Sequence, residues 1–456
     1  MRGLRGKVTI MVLAVASWAS AVNAADVVVS SCTKAGFAAA FNSANGSGGG
    51  TITFSCTGTI AVTSAYQVNS ALRIDGGNKI TFDGGNSTSL FYVNNGKSLT
   101  LLRLHLQHAA AGAAVDNYYG SVTVAESTFD HNSAGAFYGG GAIHSNGGDL
   151  AIYSTTFTSN SAGIGGAIEN FNGPTYVFNS TFTGNTASDG GGAIWSNFLI
   201  SAVSSTFTTN QSSAGEGGAI SGGPTLFVDR SQFTGNTAGT TGGAINFAGD
   251  AGTIAYSTFA ANHSGQHGGA VYSEGALTLG NATFQGNSVL SGATYAGGAI
   301  YETTYSPSQA NTVTYVTVSG NGAPSLAGGI YHTGASGSLT VGHSIIAGNS
   351  GGNCGGTLVT GGYNLADDSG CAGFFGGTDE SNAALPLATL ANNGGPTLTM
   401  LPLPGNQAIN FVPPANCGYV YDQRGGVRPA GGNCDSGAVE LNAIIDEIFQ
   451  DGFQFR

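Results

Sequence analysis

The chain has 456 residues, of which 77 are Gly and only 8% are charged, with 12 Lys and Arg set against 24 Asp and Glu. A hydrophobic share of 41% excludes a disordered chain, and Gly does not recur at every third position as collagen demands. Residues 104–229 and 231–423 contain no Lys or Arg, which excludes the clustered cations that nucleic acid, anionic lipid or phosphorylated ligands require.

Residues 1–24 read as a secretory signal peptide. Arg2, Arg5 and Lys7 form its charged start, Val8 to Ala19 its apolar run, and Val22-Asn23-Ala24 its cleavage site. The run is too short to cross a bilayer, so no transmembrane span is expected in the mature chain. Six cysteines follow, at 32, 56, 354, 371, 417 and 434. An even count in an exported chain favours disulfides over metal binding, since no C-x-x-C or Cys/His cluster occurs. Fifteen pairings are open. The grouping of positions favours Cys32–Cys56, Cys354–Cys371 and Cys417–Cys434.

Residues 25–125 read as an N-terminal cap and the first coils of a solenoid. Lys34 to Asn45 forms a short helix with Phe37 and Phe41 on one face, followed by strand pieces at 51–54, 72–74, 80–82 and 99–106. From 126 to 349 two motifs repeat in phase. Phe-x-x-Asn places Asn132, Asn160, Asn185, Asn210, Asn236, Asn262 and Asn287 at intervals of 25 to 28 residues. Gly-Gly-Ala-Ile/Val recurs at 25 to 29. A period in this range, crowded with Gly, Ser, Thr and Asn, means stacked β-coils and not helical repeats. The expected fold is all-β: a right-handed parallel β-helix solenoid with a short N-terminal capping helix and a disulfide-bearing C-terminal cap.

Each motif residue then has a physical task. Phe and Ile stack inward on their equivalents. The Asn marks the corner where the chain leaves a strand; it is expected to take a left-handed backbone and to bond to the Asn one coil away. The paired glycines permit positive φ and close backbone approach.

These residues resemble the polymorphic outer-membrane-protein repeat of bacterial surface proteins, over about 126–349. The resemblance implies a β-helical passenger at the outer membrane or cell surface, often adhesive. About 107 residues follow Asn349, too few for the β-barrel of the family's autotransporters, so self-export is not expected. Cys32-Thr-Lys-Ala-Gly-Phe37 resembles loosely the CSLREA-type leader of exported β-helix proteins. The series Asn393-Gly-Gly-Pro396, Gly405 to Asn410, Asp422-Gln-Arg-Gly425, Arg428-Pro429 and Cys434 to Glu440 resembles the choice-of-anchor Q domain, giving a C-terminal cap over 350–442 and a tail over 443–456. Arg424 and Arg428 arrive beside Asp422, Asp435 and Glu440, an ion-pair network expected to lock that cap.

No catalytic constellation emerges. Asp189, Glu216, Glu274 and Glu302 keep no common offset in their coils and read as solvated turn residues, and Asp367-Asp368 as a loop pair. His263 and His267 lack a third ligand for a metal. No metal and no cofactor is implied. The residue after each Gly-Gly-Ala-Ile/Val, namely His144, Glu169, Trp195, Ser221, Asn246, Tyr272 and Tyr301, with His332 in the shifted last copy, should form a strip on one outer face. Of these, His144, Glu169, Trp195, Tyr272 and Tyr301 are the candidate binding residues, their aromatic surface suited to a cell-surface glycan or protein. The reading is a secreted or cell-surface adhesin or interaction protein without catalysis. A polysaccharide-degrading β-helix enzyme and a structural surface spacer are the alternatives.

Overall fold

The computed structural model describes residues 26–445 apart from 291, 293, 305–308, 325 and 335–336, and the side chains of 136–138 are left aside. Residues 1–25, which include the expected signal peptide, and the tail from 446 onward lie outside the described residues. The chain forms an all-β parallel solenoid of about 13 turns. Three parallel sheets build it, of 23, 12 and 7 strands among the described residues, the smallest confined to the coils from Ser133–Gly139 to Ser288–Val289.

The register follows the repeat. Thr156–Thr158, Thr181–Thr183 and Thr206–Thr208 pair residue for residue in the long sheet, which stacks Phe157, Phe182 and Phe207. Six ring contacts from Phe129 to Phe284 have centroids 4.7 to 5.0 Å apart and planes within 9°. That separation is the ordinary distance between paired strands. Ile143–Ser145, Ile168–Asn170 and Ile194–Ser196 stack the isoleucines of the twelve-stranded sheet in the same way.

The asparagines form a buried ladder. Each Nδ2 donates to the Oδ1 of the next Asn at 2.9 Å from Asn132 to Asn262, and each Oδ1 also accepts a backbone N–H from the preceding Asn. The ladder runs on through Asn321 and Asn349, passes the expected repeats only at Asn353, and ends on Asp367 Oδ1 at 2.8 Å. One expectation is corrected: the left-handed residue is not the Asn but the one before it, such as His131 (φ 51°), Ser159 (54°) or Thr209 (51°). Turning the corner one residue early lets the Asn side chain point inward. At the opposite corner the tasks of the two glycines separate. Gly191 has φ 62°, whereas a Cβ on Gly192 would lie 2.1 Å from the Gly218 carbonyl oxygen.

Both ends are closed. Helix α1 (Lys34–Gly46) is capped by Thr33, whose hydroxyl accepts from the Gly36 N–H at 3.2 Å. It lays Phe37 on Phe82 and Tyr66 across the N-terminal mouth of the core. Cys32–Cys56 staples it. At the other mouth, Cys371, Phe374 and Phe375 pack on the core, tied down by Cys354–Cys371.

The rest of the C-terminal segment, which contains Cys417–Cys434, lies along the side of the long sheet instead of over its end. Gln423 Nε2 donates to Thr258 Oγ1 at 2.9 Å, and its Oε1 accepts from Thr283 at 2.7 Å. Thr397 Oγ1 reaches the Tyr256 carbonyl at 3.0 Å. Buried pairs Arg424–Asp422 (2.8 Å) and Arg428–Glu440 (3.1 Å) hold the segment together, and Arg428 lies over the Tyr315 ring of the solenoid at 4.4 Å. Asp435 takes backbone N–H bonds from Asn410 and Leu441, and burial pushes its pKa up to about 6.

Candidate functional site

The outward side chains of the twelve-stranded sheet make one column, aligned by strand pairing. Asp116 faces His144, which faces Glu169, which faces Trp195. Ser221, Asn246, Tyr272 and Tyr301 follow in the next coils. The five candidate residues therefore share a single face.

The last position is a correction: Tyr331 pairs with Tyr301 and continues the column, while His332 pairs with Glu302. The last copy lacks the motif's Ala, so the residue after Ile330 is Tyr331, and the alternation of a strand turns His332 inward. Burial also departs from an open strip. Glu169 and Tyr301 are each 9% exposed, and Ser221 and Asn246 are buried. The loop preceding each strand folds over the column. Glu216 accepts from Ser221 Oγ at 3.1 Å, Thr241 Oγ1 accepts from Asn246 at 2.7 Å, and the His267 ring sits 4.2 Å from Tyr301.

The column has three chemically distinct stretches. In the first, His144 bonds through Nδ1 to Glu169. Burial opposes its charge, but that bond and the charges of Glu169 and Asp116 outweigh it and raise the His144 pKa. Burial raises Asp116 as well, against a 2.8 Å bond from Ser89. In the second, partial enclosure raises Glu216, opposed by Ser221 and reinforced by the charges of Asp189 and Glu274. In the third, Tyr272, Tyr301 and Tyr331 stack at 5.4 Å with planes 13° and 16° apart. Those rings spend their faces on each other and present edges and hydroxyls outward. Tyr272 donates to Glu274 at 2.6 Å.

Glu302 is a second correction: it is not a solvated turn residue but fully buried, with its Oε2 3.0 Å from Nε2 of the equally buried His332. His332 Nδ1 donates to the Thr357 carbonyl at 2.6 Å, which leaves Nε2 facing the carboxylate. Strand parity is the signal for this pair, because Ile300 points inward and so must Glu302. His263 and His267 part company: His263 bonds to Ser288 at 2.7 Å and His267 packs on the tyrosines. A further His/Asp group unremarked in the sequence lies near the N-terminal end, with His108 3.3 Å from Asp83 and His131 2.8 Å from Asp130. Among the described residues, no three His, Cys, Asp or Glu side chains gather in a group able to hold a metal ion.

One family model matches the chain, the Chlamydia polymorphic membrane protein repeat, over residues 179–197. That stretch holds one Phe-x-x-Asn (Phe182, Asn185) and one Gly-Gly-Ala-Ile (191–194). The solenoid is a polymorphic-membrane-protein-like β-helix. No curated protein and no solved structure matches. The repeat and the fold fit a surface-exposed bacterial protein, and the family points to the outer membrane or cell surface. Among the described residues no helix is long and apolar enough to cross a membrane.

Proposed function

We propose that the chain is exported and displayed on, or released from, a bacterial surface, where it serves as an adhesin or interaction protein that grips a partner along the twelve-stranded face. The supporting observation is a column that lines up His144, Glu169, Trp195, Tyr272 and Tyr301 on a rigid stack whose repeat matches a surface-protein family. A preorganised face of this kind binds without ordering costs, which favours recognition over a long, shallow contact. The test is retention of the mature chain on an array of immobilised cell-surface glycans and proteins. Retention on at least one class is expected, with a fivefold or greater loss for Trp195→Ala or Tyr272→Ala. No retention, or retention indifferent to both variants, would refute it.

A second reading, a polysaccharide-degrading enzyme, is favoured by the upward shifts of Asp116 and Glu216 beside that same column. Release of reducing ends that Asp189→Asn or Glu216→Gln abolishes would replace adhesion by catalysis.

A further inference from the structure

All four aromatic residues among the exposed large apolar side chains of the described chain sit at one corner of the solenoid. They are Tyr118 (45%), Tyr119 (45%), Phe171 (42%) and Phe198 (48%). The corner is where the chain leaves the twelve-stranded sheet. Tyr118 follows Val115–Asn117, Phe171 follows Ile168–Asn170, and Phe198 comes two residues after Ile194–Ser196. These positions lie outside strands, so β-propensity does not account for aromatic residues there. Corners of this kind favour Gly, Pro, Asn, Asp and Ser, and later coils of this chain carry Gly223-Pro224, Ala248-Gly249 and Glu274-Gly275 at the same place.

The four residues form a stripe. The intervening coil contributes Asn146-Gly147-Gly148, and the Tyr119 ring folds over it: a Cβ on Gly147 would lie 2.7 Å from Tyr119 Cδ1. Phe171 stacks on Trp195 of the outward column, with centroids 6.0 Å apart and planes 13° apart. Asn172 and Asn197 join the corner through a 2.8 Å bond from the Asn172 N–H to Asn197 Oδ1. The stripe spans four coils, about 15 Å along the axis at the spacing of paired strands. Whereas Tyr301, inside the Tyr272–Tyr301–Tyr331 stack, is 9% exposed, these four residues are 42 to 48% exposed.

We propose that this corner is a binding site for an uncharged polysaccharide chain lying along the solenoid axis. The inference rests on the adhesion reading and names its partner. A pyranose ring offers one apolar C–H face to an aromatic ring and hydroxyls at its rim to neighbouring amides, and aromatic faces beside Asn172 and Asn197 supply both. Charge selects among glycans. Asp116, Asp149 and Glu169 lie in the same coils, and no Lys or Arg occurs between Arg103 and Arg230. Arg103 is the cation nearest in sequence, and Lys97 lies one coil toward the N-terminus, its carbonyl accepting the Ser121 N–H. Sulfated and uronic polymers meet repulsion there, whereas a neutral polymer does not.

The test is affinity electrophoresis of the mature full-length chain in gels containing glucomannan, mixed-linkage β-glucan or dextran, with dextran sulfate as the anionic counterpart. Retardation is expected with at least one neutral polymer and not with dextran sulfate. Phe171→Ala/Phe198→Ala and Tyr118→Ala/Tyr119→Ala should each weaken binding about tenfold, with Val420→Ala, an exposed apolar side chain of the C-terminal segment, within twofold of wild type. All these side chains lie outside the stacked core, so an unchanged thermal transition certifies the fold. Retardation by no neutral polymer, retardation as strong by dextran sulfate, or a loss produced by Tyr272→Ala or Val420→Ala and not by the corner variants would overturn the proposal. Array partners held through Trp195 and Tyr272 without any polysaccharide retardation overturn this inference alone. Retardation accompanied by release of reducing ends overturns the adhesion reading and leaves the polysaccharide assignment standing.

Discussion

Replacing Asn210 by Ala should cut the solenoid's internal ladder at its middle. Four hydrogen bonds converge on that amide. Oδ1 accepts the Asn185 backbone N–H at 3.1 Å and Asn185 Nδ2 at 2.9 Å, while Nδ2 donates to the Phe182 carbonyl at 3.0 Å and to Asn236 Oδ1 at 2.9 Å. Both Asn185 and Asn210 are fully buried, so water cannot replace the lost partner. Asn236 keeps the backbone N–H of residue 210 at 3.0 Å, but two donors of Asn185 are stranded. At about 1–3 kcal/mol per unsatisfied buried group, the cost is about 2–6 kcal/mol. Coils contact mainly their neighbours, so the loss is local. Native-state hydrogen exchange should show opening free energies lowered by that amount across 182–236 and unchanged near the capping helix. The control is Asn94→Ala, which removes an exposed bond to Asn69 at 2.8 Å and should cost less than about 0.5 kcal/mol. An Asn210→Ala penalty below about 1 kcal/mol, or one no larger than the control, would refute the ladder as a source of stability.

Gly192→Ala should cost about 3 kcal/mol in chemical denaturation, because its Cβ would drive into the Gly218 carbonyl. Gly286→Ala, at φ 65° with open space around it, should cost only about 1 kcal/mol. Asp367→Ala removes the ladder's terminal acceptor and a 2.8 Å bond from the Gly348 N–H, and should raise hydrogen exchange in 345–366 before it lowers the global transition. His144 has a folded pKa raised above its unfolded value, so its contribution is fully present below about pH 6.5 and is lost as pH rises through the folded value. The melting temperatures of wild type and His144→Gln should therefore differ at pH 5.5 and converge toward pH 8.5; a constant difference would show that the Glu169 and Asp116 charges do not act on it. Opening Cys32–Cys56 with Ser substitutions should release the capping helix and cost about 3 kcal/mol, read as concentration-dependent association through the uncovered strand edge.

The repeat, its period, the inward Phe and Ile, the glycine corners and the capping helix are all legible in the sequence. Each is a local pattern copied from coil to coil, and copying averages out single-residue ambiguity. The alignment of His144, Glu169, Trp195, Tyr272 and Tyr301 is legible for the same reason, since equal offsets from a repeated motif must stack. What local pattern does not carry is what lies over a column. Loop residues such as Glu216, Thr241 and His267, which precede its strands, close over it.

Sequence by itself therefore determined the solenoid and its phase, and the grouping of its cysteines favoured, among fifteen open pairings, the one the structure contains. Only the tertiary structure decided the rest. It placed the C-terminal segment along the side of the long sheet, through contacts such as Gln423 with Thr258 that join residues 165 apart. It turned Glu302 and His332 inward, where strand parity overrides their polarity. It also left Tyr118, Tyr119, Phe171 and Phe198, which follow their strands by one or two residues, exposed together at one corner of the stack.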